Sequence, residues 1–169
     1  LSLCLSVSLS LCLSVFLSLT LTLTFAQGMA GHVRYTLPRL ALLENMSVQE
    51  LVAWMRVENL LKDRCGSCDA LTSIAEDRHR ATDGVCAYCP RCQSRRSVRN
   101  SSFFELHPKL SLLLILTCVA WWWEDLRISS CARMNGYNRK AVSNVYTSLD
   151  LLAEQLRLEG IDPVTFTSD

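Results

Sequence analysis

Cys65, Cys68, Cys89 and Cys92 stand as C-x2-C, a twenty-residue interval and a second C-x2-C. Two close thiol pairs at that separation are the sequence form of a tetrahedral four-cysteine site, and zinc is the ion such a set takes. Each pair is a tight knuckle that aims two sulfurs at one point, so the chain must fold back within the interval. The interval holds a small β-hairpin and little else. Asp83-Gly84 supplies its turn, and Leu71–Ala75 and Val85–Tyr88 are its expected strands. One structural Zn2+ on Cys65, Cys68, Cys89 and Cys92 is therefore the expected cofactor. Cys86-x2-Cys89 is also a valid pair, which leaves Cys86 as a substitute ligand. Pro90-Arg91 makes the more normal knuckle and favours Cys92. His79 sits in the charged loop Glu76-Asp-Arg-His-Arg80 and is expected to be solvated.

Nine cysteines would suit a disulfide framework in a secreted chain. The number is odd, four fit a metal pattern, Cys4 and Cys12 belong to a low-complexity tract, and Cys118 and Cys131 fall in apolar helical settings. A reducing compartment, the nucleus, is the expected location. The net charge of +1 does not announce a nucleic-acid binder, but its distribution does more. Arg91, Arg95, Arg96 and Arg99 follow the second knuckle at once. Residues 126–149 hold Arg127, Arg133, Arg139 and Lys140 and no acid. A metal module with that much positive charge suggests double-stranded DNA as partner.

Residues 1–25 alternate: every odd position is Leu, Val or Phe, and every even one is Ser, Cys or Thr except Phe16. The pattern has a strand period and is long enough for a membrane segment, but it lacks the basic start of a signal peptide. A CT-dinucleotide repeat translates as Leu-Ser-Leu-Ser. Residues 1–28 are accordingly expected to be a translated microsatellite without an evolved fold, and an aggregation hazard if expressed. With Leu1 at its head the chain reads as a fragment whose first internal start is Met29.

Residues 47–61 predict a helix. Ser47 and Glu50 suit a capping box, and Val48, Leu51, Val52 and Met55 recur at helical spacing. Ser97–Phe104 is expected as one more strand. Leu110–Trp123 is apolar on nearly all faces but short for a membrane span, and predicts a buried helix closed by Glu124-Asp125. Two further helices flank Asn135-Gly136-Tyr137-Asn138, with Leu126, Ile128 and Ala132 packing the first. Asn138 caps the second, and Val142, Val145, Leu149 and Leu152 form its inner face. Helix, Gly-containing turn and helix describe a helix-turn-helix. Arg139, Lys140, Ser143 and Asn144 would stand at the exposed start of its second helix, with side chains suited to phosphates and base edges. The expected fold is mainly α with a small β zinc ribbon: an N-terminal helix, the Cys4 hairpin, then a helical helix-turn-helix region. The expected divisions are 1–28, 47–106, 107–158 and a tail at 159–169.

The order of these segments resembles one family. Cys65-Gly-Ser-Cys68, Asp83-Gly84, Cys89-Pro-Arg-Cys92, Ser97-Val-Arg99 and Ser102-Phe-Phe-Glu105 are followed by the Leu-rich helix ending in Trp121–Trp123 and by Tyr137–Tyr146. Together they look like the amino-terminal part of ISXO2-like transposases, closest to the Merlin group, over about residues 48–156. The resemblance implies binding to the terminal inverted repeats of a transposon and no small-molecule substrate. In the family a DDE catalytic domain with two divalent metals follows this region. That domain is expected to be missing here, and Asp162, near the family's first catalytic acid, lacks its surrounding motif. No DNA cleavage by this chain alone is therefore expected. Two other readings compete: a transposon-derived product with no selected function, and a membrane-anchored or secreted cysteine-rich protein.

Overall fold

A computed structural model of the chain describes residues 37–77 and 82–159. The 1–28 tract, Met29, His79 and Asp162 lie outside the described residues. The elements in order are helices α1 (Leu37–Glu44) and α2 (Val48–Val57), strands β1 (Ser73–Glu76), β2 (Val85–Tyr88) and β3 (Arg95–Ser97), a 3-10 turn (Phe103–Leu106), and helices α3 (Leu112–Trp123), α4 (Ile128–Asn135) and α5 (Arg139–Leu158). About half of the described residues are helical, and they hold one small antiparallel sheet in the order β1-β2-β3.

Local chemistry accounts for most boundaries. The Glu50 amide donates to Ser47 Oγ at 3.3 Å and the Ser47 amide donates to the Glu50 carboxylate at 2.8 Å, so the capping box that opens α2 is complete. Ser47→Ala should therefore cost about 1 kcal/mol in a urea melt; an unchanged midpoint would remove the cap from the stability of α2. Ser111 caps α3 through the Leu114 amide, and Asn138 caps α5 through the Lys140 amide at 2.8 Å. Three helices end alike. Asn59, Asp125 and Gly136 take left-handed φ of 58°, 53° and 66°. The next amide then reaches back five residues: Leu60 to Met55, Leu126 to Trp121 and Tyr137 to Ala132. Asn, Asp and Gly are the residues that tolerate this conformation. The stop at Asn59 ends α2 at Val57, short of the expected residue 61.

The expected strand Ser97–Phe104 is corrected. Only Arg95–Ser97 pairs, against Cys86–Tyr88. Beyond it the Asn100 amide donates to the Ser97 carbonyl, the Ser102 amide and hydroxyl both donate to the Arg99 carbonyl, and Ser101 has φ 57°. These bonds curl the chain into the 3-10 turn that buries Phe103 and Phe104. The first hairpin strand also starts late, at Ser73; Leu71 makes only an isolated bridge to Arg64.

A single hydrophobic core runs through Leu43, Val52 and Met55, then Val85, Val98 and Phe104, then Ile115, Leu116, Val142, Val145 and Leu149. α5 packs on both α3 and α4. Its inner face is the expected one, with Leu152 only half-buried. The three tryptophans closing α3 are all half-buried, and Trp122 Nε1 donates to Asp150 of α5 at 2.8 Å. At 1.5 Å per residue α3 is about 18 Å long, well below the hydrocarbon thickness of a bilayer. No described helix is long and apolar enough to cross a membrane.

Candidate metal centre

The two C-x2-C segments fold into the same local shape. In the first, the Cys65 amide donates to the Ala70 carbonyl at 2.9 Å; in the second, the Cys89 amide donates to the Ser94 carbonyl, also at 2.9 Å. The residue after each second cysteine, Asp69 and Gln93, has φ 55°. Each knuckle is thus a six-residue loop turned by one left-handed residue, and β1 and β2 bring the two together. Cys65 and Cys92 sulfurs stand 3.6 Å apart, and those of Cys68 and Cys89 stand 3.4 Å apart. All four lie within 4.8 Å of one another. A tetrahedron of sulfurs about 2.3 Å from a central ion has edges of about 3.8 Å, so the group is close enough to hold a metal ion.

Cys86 is not in this group. It lies inside β2, opposite Ala75 and Ser97, and is 3 % exposed. A knuckle needs a turn between its cysteines. Ala87 and Tyr88 are extended instead, which carries Cys86 about 10 Å along the strand from Cys89. The substitute ligand is thereby corrected to a core thiol.

The electrostatics suit anionic sulfur on one side of the cluster. The amides of Ser67 and then Cys68 point at the Cys65 sulfur and pull its pKa down to about 6, helped by Cys92 and Ser94 and opposed by burial. Cys92 is also lowered, first by the Ser94 hydroxyl and then by the Ser94 amide. For Cys68 the Ala70 amide favours the thiolate, but the adjacent Cys89 sulfur, burial, Cys65 and Cys92 outweigh it and push the pKa up to about 11. Four thiols this close cannot all ionise without a cation among them. Four protein sulfurs around one point leave no open position for water, which is the arrangement of a structural and not a catalytic metal.

The arginines after the second knuckle separate into two sets. Arg91, Arg95 and Arg96 are exposed. Arg95 lies over its register partner Tyr88, 5.8 Å from the ring centroid. Arg96 donates to Ser67 Oγ at 2.6 Å, which ties β3 to the first knuckle. Arg99 is corrected: it is 3 % exposed and does not belong to a solvated basic face. Its guanidinium pairs with both oxygens of Asp83 at 2.7 and 2.5 Å, and donates to the carbonyls of His107 and Leu110 at 2.7 and 2.5 Å. The hairpin turn, the segment after β3 and the entry to α3 meet on this one side chain. His107 packs edge-on against Phe103, and burial, then the Arg99 charge, hold its imidazole below the usual histidine pKa.

On α5, Arg139, Lys140 and Asn144 are exposed and Ser143 is half-buried. Sequence reasoning missed Asp69 and Gln93, whose left-handed backbone carries no glycine signal here, and Ser94, whose hydroxyl lies 3.0 Å from the Cys92 sulfur. It read Asp83 only as a turn residue. Comparison with protein-family models, curated proteins and solved structures finds no match.

Proposed function

We propose that the chain is a zinc-stabilised DNA-binding module derived from an ISXO2-like, Merlin-type transposase. In this reading the sheet and its two knuckles are a zinc ribbon around one structural Zn2+ on Cys65, Cys68, Cys89 and Cys92, and α4 and α5 are a helix-turn-helix. The observation that carries it is the juxtaposition of a closed four-sulfur group with the exposed Arg91 of the second knuckle and the exposed Arg95 and Arg96 of β3. The ion would fix the loops and the arginines would meet the phosphates. Arg139, Lys140, Ser143 and Asn144, at the start of α5, supply the second contact face. The target proposed from the resemblance is double-stranded DNA carrying the inverted repeats of a transposon, and the nucleus is the matching location.

The full chain, purified without chelator, should carry one zinc. It should retard an inverted-repeat duplex with an affinity that falls steeply as salt rises. Each lost phosphate contact removes about 0.9 from the slope of log K against log salt. Arg139→Gln with Lys140→Gln should therefore lower that slope by roughly 2. Zinc-loaded protein that fails to retard any duplex at low salt would end the DNA reading.

A further inference from the structure

Beside the sulfur group lies a cleft that shares Arg96 with the first contact face and is otherwise used by neither. Lys62, Arg64, Gly66, Ser94, Arg96 and Asn100 are among its walls, and no carboxylate lines it. A second cleft of about 310 Å³ adjoins it, sharing Lys62 and Ser101 and adding Arg56 and the carboxylate of Asp63. Arg56 reaches across from α2 to the carbonyl and hydroxyl of Thr72 at 2.8 and 3.0 Å, while its Nε–H has no partner.

The cations are placed by the knuckles. Nη1 of Arg96 lies 3.4 Å from where a side chain on Gly66 would begin, so this arginine rests along the first knuckle, held by Ser67. One hydrogen bond leaves most of its guanidinium fork open. Arg64 meets Asp69 at 3.3 Å, but both side chains are largely exposed, and such a pair is weak in water. Lys62 is exposed. Three cations around a concave, hydroxyl-rich site concentrate positive potential there, and two are arginines, whose planar fork matches phosphate oxygens.

The geometry points to the cleft between Lys62, Arg64 and Arg96 as a phosphate-binding site that the metal knuckles hold in shape. Its ligand is a phosphate group of the nucleic-acid backbone; that source rests on the DNA-binding reading, whereas the anion chemistry does not. Cys65 and Cys89 form part of the cleft wall, so phosphate binding requires the metal-loaded chain.

The test compares the zinc-loaded full chain with Lys62→Gln/Arg64→Gln, two exposed positions outside the ligand set. A charge-matched control, Lys109→Gln/Arg157→Gln, lies outside the cleft. Inorganic phosphate is titrated while backbone amide signals are followed by NMR, and duplex affinity is measured against salt. The expected result is saturable phosphate shifts at residues 62–66 and 94–101, lost in the cleft variant and kept in the control. The salt slope for duplex should fall by roughly 2 in the cleft variant alone. Saturable phosphate shifts in a chain that binds no duplex would uphold the cleft, name free phosphate compounds as its source and overturn the DNA reading. Normal duplex binding by the cleft variant, with no phosphate shifts in the parent chain, would overturn the cleft and leave the DNA reading standing. Absence of both in the zinc-loaded parent would overturn both.

Discussion

Cys89→Ser is expected to strip the metal from the chain and to open the sheet while the helices stay folded. Cys89 is 1 % exposed and sits where β2 meets the second knuckle. Beyond the Val85 anchor and the Arg99–Asp83 pair, the sheet buries little of its own surface. β3 is exposed at every position, β1 buries no residue fully, and β2 buries only Val85 and Cys86. Structural zinc contributes on the order of 10 kcal/mol in small modules of this kind, comparable with the whole stability of an ordinary domain. In α3 and α5, by contrast, Ile115, Leu116, Val142, Val145 and Leu149 build a core without any sulfur ligand. Zinc content should fall well below one per chain. Amides of β1 and β2 should exchange at once, while those of Leu116 and Val145 remain protected. Cys86→Ala is the contrast: it should keep its zinc, because Cys86 is outside the group. A Cys89→Ser protein with stoichiometric zinc and a protected sheet would refute the metal assignment.

Arg99→Met should destabilise the chain by about 3–5 kcal/mol, the cost of removing one member of a buried ion pair. Asp83 would be left with a carboxylate only 7 % exposed, the Leu110 carbonyl would lose the Arg99 donor, and the His107 carbonyl would keep only the Leu110 amide. Arg99→Lys should recover little, since one ammonium cannot serve a carboxylate fork and two carbonyls together. Removing both charges, in Asp83→Leu/Arg99→Met, should cost less than Arg99→Met alone, because no uncompensated charge then stays buried. Urea melts of the three variants measure this. A loss below about 1 kcal/mol for Arg99→Met, combined with weaker DNA binding, would return Arg99 to the contact face.

Much of the helical frame was legible in the residues. Ser47 with Glu50, and Asn138 with the pattern Val142, Val145, Leu149, carry start signals and inner faces that the structure repeats. β2 occupies the expected Val85–Tyr88. The stretch after it was not legible. Ser97–Phe104 has strand-like composition, yet the Arg99 carbonyl takes hydrogen bonds from Ser102 and turns the chain. Arg99 itself was misjudged because it follows Arg95 and Arg96 in a charged run, and such runs are normally solvated.

The residues alone are enough for the two knuckles, the helix caps at Ser47 and Asn138 and the hairpin turn at Asp83-Gly84, because these depend on bonds between residues only a few positions apart. Tertiary structure alone decided two matters. It set Cys92 rather than Cys86 in the sulfur group, because β2 stays extended through Ala87 and Tyr88. It also took Arg99 out of the basic face, because its carboxylate partner stands sixteen positions earlier and its carbonyl partners lie beyond the next turn. A side chain with its charge satisfied inside the fold and one satisfied by water have the same local sequence. Only the placement of distant partners tells them apart.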